Sequence, residues 1–248
     1  IGTGSGLNRF DRATGDAERF VPTEDDPASL GNPTVRCIVE DETGSLWVGT
    51  DGGLNRFNCG SQTFERIAIA LPGAGSESDT RVNWFLIDSG GRFWVGTNTG
   101  LCLYDRDTGA SSYITVREGL PNNSVNGIIE DGRGRLWIST FRGIAVLDPI
   151  SGRIRIYSAS DGLQSSQFNQ RACLKASDGM VYFGGVNGFN RFRPEDIEDN
   201  PYAPPVFITS FRKFDDPVNR LVSLDSIDEI VLNYTENFIT VEFAAVDF

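Results

Sequence analysis

Short runs rich in Val, Ile, Leu, Trp and Phe recur along the chain, each closed by Gly, Asp, Asn or Pro. The stretch 125–158 has the plainest form. VNGIIED (125–131), RLWIST (135–140), GIAVLD (143–148) and RIRIYS (153–158) are predicted strands, with turns at 132–134, 141–142 and 149–152. β-Branched and aromatic side chains fit a pleated, half-buried surface, and the turn residues satisfy or relax the backbone locally. No window carries a helical period of 3.6, so no helix is predicted.

The pattern repeats. LWVGTDGGLNRF (46–57) returns as FWVGTNTGLCLY (93–104), LWISTFRGIAVL (136–147) and VYFGGVNGFNRF (181–192), and the chain opens inside the same motif with IGTGSGLNRF (1–10). The glycine that starts its second half stands at Gly6, Gly53, Gly100, Gly143 and Gly188, at spacings of 47, 47, 43 and 45. A period in the mid-forties with four short strands is the signature of a β-propeller blade. One blade has two apolar faces and buries them only against neighbours. Trp47, Trp94, Trp137 and Tyr182 share one register of the second strand and are expected to wedge between blades.

The predicted fold is therefore all-β: about four and a half four-stranded blades of a partial ring, over 1–193. The first unit begins within its second strand and the last has no clear fourth. An acidic, Pro-rich linker is expected over 194–205. VFITSFRKF, EIVLNY and NFITVEFAAVDF then read as the first strands of a truncated, immunoglobulin-like β-sandwich over 206–248. The chain reads as a fragment of a longer protein. Open blade faces and edge strands point to self-association, or to a homodimer in the parent.

The segments IVEDETGSLWVGTDGGLNRFN and IIEDGRGRLWISTFRGIAVLD resemble the two-component regulator propeller repeat. APPVFITSF and LNYTENFITVEFAAVDF resemble the start of the three-tyrosine (Y_Y_Y) sandwich that follows such propellers. The resemblance implies the periplasmic sensing region of a membrane-anchored sensor, often a hybrid histidine kinase and sometimes a diguanylate cyclase. In that family the propellers bind a ligand, in many cases an oligosaccharide, and the sandwich passes the signal toward the membrane. Members usually carry more blades than this chain.

Composition narrows the chemistry. The 248 residues include 22 basic and 34 acidic ones, a net charge of -12, which argues against nucleic acid and anionic lipid as partners. Direct membrane contact is not expected, because no apolar run is long enough to span a bilayer. There is no histidine, which removes His-dependent triads, His-ligated zinc and proximal-His haem. Cys37, Cys59, Cys102 and Cys173 form no C-x-x-C pair and read as buried thiols or, less readily, as a disulfide. No catalytic group, metal site or cofactor is assigned, and the fragment is read as non-enzymatic. The acidic turns EDETGS, DSGGR, EDGRGR and ASDGM suit calcium in composition but read better as hairpin turns.

Candidate binding residues fall at the start of each blade's first strand. Counting back eleven from the second-strand aromatic gives Arg36, Asn83, Asn126 and Arg171; counting back thirteen gives Thr34, Arg81, Ser124 and Asn169. Val35, Val82, Val125 and Gln170 stand between. Polar, apolar, polar at period two suits a strand with one side on a wet channel. Arg and Asn offer forked groups for hydroxyls or a carboxylate, though the same groups also serve backbone and water. The loops between second and third strands add Asp51, Asn98, Phe141, Arg142 and Asn187, where an aromatic beside an arginine suits a sugar ring. The expected site is Arg36, Arg81, Asn83, Asn126, Phe141, Arg142, Asn169, Arg171 and Asn187, taking a small polar ligand with glycan the favoured class. A propeller lyase or hydrolase, and a protein-interaction scaffold, are the alternatives.

Overall fold

The computed structural model describes residues 1–69, 81–197, 206–213, 216–217 and 239–245. Five antiparallel sheets follow one another over residues 1–197. The first is β1 (Gly2–Thr3), β2 (Gly6–Phe10) and β3 (Ala17–Phe20). The second is β4 (Val35–Glu40), β5 (Leu46–Thr50), β6 (Gly53–Asn58) and β7 (Thr63–Ile67). The third is β8 (Val82–Ile87), β9 (Phe93–Thr97), β10 (Leu101–Tyr104) and β11 (Ser111–Ile114). The fourth is β12 (Val125–Glu130), β13 (Leu136–Thr140), β14 (Gly143–Leu147) and β15 (Ile154–Tyr157). The fifth is β16 (Phe168–Lys175), β17 (Val181–Gly185) and β18 (Gly188–Phe192). Within each sheet the strands pair in chain order, so every sheet is a meander. Among the described residues there is no α-helix, and no helix long and apolar enough to cross a membrane.

The recurring glycine has a steric cause. Gly6, Gly53, Gly100, Gly143 and Gly188 all have positive φ, between 104° and 150°. A Cβ at Gly143 would lie 2.4 Å from the Tyr157 carbonyl oxygen, so only glycine lets the third strand start so close to the fourth.

The cores lie between sheets, as two-faced blades require. Leu7 joins Val48, Phe57 and Phe64 between the first and second sheets. Trp47 and Leu54 pack with Phe93, Val95 and Tyr104 of the third. Trp94 and Leu101 pack with Leu136, Ile138 and Leu147 of the fourth. Trp137 and Ile144 pack with Phe168, Val181 and Phe183 of the fifth. Trp47, Trp94 and Trp137 are thus the expected wedges, each buried. Tyr182 is half-buried and packs on Phe189 of its own sheet. The first strands β4, β8, β12 and β16 adjoin one another in succession, so they form the innermost layer. In each of these strands the register slips just after the first residue, as a β-bulge.

The compact unit runs on to Ile197, four residues beyond the composition change at 193. A single 3-10 turn at Pro194–Asp196 buries Pro194, and Ile197 packs on the core beside Trp137. The second unit has β19 (Val206–Lys213), β20 (Asp216–Pro217) and β21 (Ile239–Ala245) in the order β20-β19-β21. The EIVLNY strand expected over 229–234 lies outside the described residues. All four cysteines are free thiols. Burial pushes Cys37 and Cys173 up to about 12 and Cys102 up to about 11, so these three stay protonated; Cys59 is exposed.

Candidate binding face at the axial ends of the inner strands

The polar positions of the inner strands meet the loops between second and third strands in a repeated pattern. Asp51 pairs with Arg36 of its own sheet and, at 3.1 Å, with Arg81 of the next. Asn98 does the same one sheet on: its Oδ1 accepts from Asn83 Nδ2 at 3.0 Å and from Ser124 Oγ of the next sheet at 3.4 Å. Ser124 Oγ also donates to Asn126 Oδ1 at 3.3 Å. The third loop breaks the series. There Phe141 stands, paired with no polar neighbour and 37% exposed.

Asn83 and Asn126 have a second task. Asn83 Nδ2 donates to the Val125 carbonyl at 3.0 Å, and Asn126 Nδ2 to the Phe168 carbonyl at 2.8 Å. Each asparagine thereby ties its inner strand to the next one. Both are fully buried.

The last sheet departs from the counted register. Val35, Val82, Val125 and Phe168 occupy one place, opposite Thr50, Thr97, Thr140 and Gly185. Leu30, Leu120 and Leu163 each precede that place by five residues. Hence Asn169, not Arg171, corresponds to Asn126, and Gln167, not Asn169, corresponds to Ser124. Gln170 lies within an enlarged bulge rather than in the apolar register. The reason is that this repeat carries two extra residues, and they fall inside its first strand, upstream of the aromatic used for counting. Arg171 sits there with a left-handed φ of 61°.

The enlarged bulge reaches across to the second sheet. Arg36 donates to Gln170 Oε1 at 3.3 Å, and Arg171 donates to the Arg36 carbonyl at 3.4 Å. Arg36, Arg81 and Arg171 are thus joined by one chain of contacts through Asp51 and the Arg36 backbone. Arg142 is exposed beside Phe141. Asn187 is exposed and held by Gln164, its backbone donating to Gln164 Oε1 at 2.8 Å. Asn169 is also exposed.

The acidic turns are used within the fold. Asp41, Asp88 and Asp131 each accept from the indole of Trp47, Trp94 and Trp137, at 2.7, 2.7 and 2.9 Å. Their other oxygens accept turn backbone N–H groups. Burial alone would raise these carboxyls, but the hydrogen bonds outweigh it; Asp41 is lowered to about 2, and Asp88 and Asp131 are lowered as well. This Asp-to-Trp link at a spacing of six was open to sequence reasoning, since the last repeat loses both partners together, as Ala176 and Tyr182. Among the described residues no acidic or cysteine cluster is arranged to hold a metal.

Meanders of three or four strands, buried against each other with their first strands innermost, define a β-propeller. The family described as two component regulator propeller matches residues 29–52, 76–99 and 119–142, one stretch in each of the second, third and fourth sheets. Among solved structures, the chain is similar to the extracellular domain assigned to a hybrid two component system, BT3049, from B. thetaiotaomicron. Identity is 25% and the TM-score 0.74, over 99% of this chain and 33% of that one. The extracellular domain assigned to the one component system BT4673 of the same organism gives 24% and 0.68, over 82% of this chain and 29% of that one. The chain therefore spans about a third of the length of these relatives. A gluconolactonase from Xanthomonas campestris shares the fold alone, at 15% identity and a TM-score of 0.52 over 75% of this chain and 64% of that one. No curated protein matches the sequence.

Proposed function

We propose that this chain is a ligand-sensing part of the extracytoplasmic region of a membrane-anchored two-component sensor. It binds a small polar ligand, foremost an oligosaccharide, on the face where the inner strands start. The observation that carries this reading is Phe141. At the two preceding places Asp51 and Asn98 close polar bridges between sheets; at the third an aromatic ring is left half open, next in sequence to the exposed Arg142. An aromatic platform next to a forked donor suits a sugar: its C–H face stacks on the ring, and its hydroxyls find the guanidinium.

Sensing in this reading is a population shift. The ligand bridges inner strands of different sheets and favours the arrangement in which they are correctly spaced. A sandwich of the Y_Y_Y type, of which β19–β21 would be the start, passes that bias toward a membrane anchor and a kinase or cyclase output domain. The expected location is the periplasm.

A panel of oligosaccharides tests the reading by thermal shift and isothermal titration. At least one should raise the unfolding midpoint by mass action. Phe141→Ala should cut its affinity about tenfold, a loss of about 1.4 kcal/mol, while leaving the unliganded midpoint almost unchanged. A panel without a binder, or a binder indifferent to Phe141, would refute this site.

A further inference from the structure

Resting on that reading, we infer that the ligand is an anion, and that Arg36, Arg81 and Arg171 together receive its carboxylate or sulfate group. The charge distribution is the first reason. The chain carries a net charge of -12, yet Arg36 and Arg81 share a single carboxylate, Asp51, leaving one positive charge in excess, and the Arg171 guanidinium reaches the Arg36 carbonyl. Like charges so close repel each other, and partial burial strengthens the repulsion. The Arg36 side chain is 13% exposed and that of Arg81 37%. A bound anion would remove the excess.

Unfilled donor capacity is the second reason. Each guanidinium has five N–H donors in a fixed fork, matched to the two oxygens of a carboxylate or sulfate. Asp51 engages Arg36 and Arg81 through one oxygen, Oδ1. The buried Nε of Arg81 lies 3.1 Å from that oxygen but is not aligned for a hydrogen bond. Arg171 makes one long bond, to a carbonyl.

The backbone gives the third. Arg171 adopts a left-handed φ, which a side chain with a Cβ disfavours, within the two-residue enlargement peculiar to the last inner strand. The neighbouring inner strands manage without this enlargement. Its effect here is to carry the Arg171 side chain to the Arg36 carbonyl.

The test compares acidic oligosaccharides, uronate-containing and sulfated, with their carboxyl-reduced and desulfated counterparts, titrated into the purified chain. An acidic member should bind at least tenfold more tightly than its neutral counterpart, and less tightly as salt rises. Arg36→Gln, Arg81→Gln and Arg171→Gln should each weaken it about tenfold, a change of 1.4 kcal/mol. Asp51→Asn should act in the opposite direction and tighten it, which no loss of folding would imitate. Uronate against sulfate is decided by which acidic members bind. Equal affinity for acidic and neutral forms, or arginine variants without effect, would overturn the inference. Neutral sugars binding in a Phe141-dependent manner would leave the sensor reading standing and sink the anion. No binding of either form would sink both.

Discussion

The tryptophan wedges depend on a single carboxylate each. An indole N–H buried between two sheets needs an acceptor, and the aspartate six residues earlier supplies it while also closing its own turn. Arg135 adds a 2.8 Å ion pair to Asp131. Because the folded-state pKa values of Asp41, Asp88 and Asp131 are lowered, their stabilisation is complete above the ordinary aspartate value of about 3.9. It is lost as pH falls through the folded values, which reach about 2 for Asp41. The unfolding midpoint should hold between pH 7 and 5 and drop steeply below 4. Asp131→Asn keeps an acceptor for the indole but cannot titrate. It should lower the midpoint at pH 7 and shrink the fall between pH 5 and 2, as followed by thermal denaturation. A variant whose acid profile parallels that of the unchanged protein would show that other groups set the acid limit.

At the scale of the strand, the inner layer is held by asparagines that reach from one sheet to the next. Asn126 gives its amide to the Phe168 carbonyl at 2.8 Å, and the residue is fully buried. Asn126→Ala should therefore cost about 1–3 kcal/mol, the penalty of an orphaned buried carbonyl. Asn169→Ala, at the corresponding but exposed place, should cost far less. Equal losses in urea unfolding would disprove the assignment. This pair also marks where the sequence is legible. Strand order, the glycine turns and the aromatic wedges follow from residue type at fixed spacing, because sterics and burial act within one repeat. Asn126 and Arg171 look equivalent by counting from the aromatic; an insertion inside β16 separates them, and nothing in local composition marks its position. The bridging of Asp51 and Asn98 to the next sheet escapes for a related reason. It depends on contacts between repeats, and strand periodicity carries only the faces within one.

For the array as a whole, the arrangement of cores sets the order of stability. Every apolar cluster lies between two consecutive sheets, so cohesion runs from neighbour to neighbour. The second, third and fourth sheets each share two such cores among the described residues, and the first and fifth share one. Amides of β5, β9 and β13 should exchange with solvent most slowly, and those of β2 and β18 fastest, in hydrogen exchange read by mass spectrometry. Trp94 is the wedge between the third and fourth sheets, packed with Leu136, Ile138 and Leu147 beyond it. Trp94→Ala should cost about 3–5 kcal/mol, and it should do more than lower stability. With that link weakened, exchange in β12–β18 should rise without a matching rise in β4–β7, because no buried residue belongs to two of these cores. A substitution at Trp94 that accelerates exchange equally in all five sheets would mean that the array unfolds as one cooperative body, held by more than its nearest-neighbour cores.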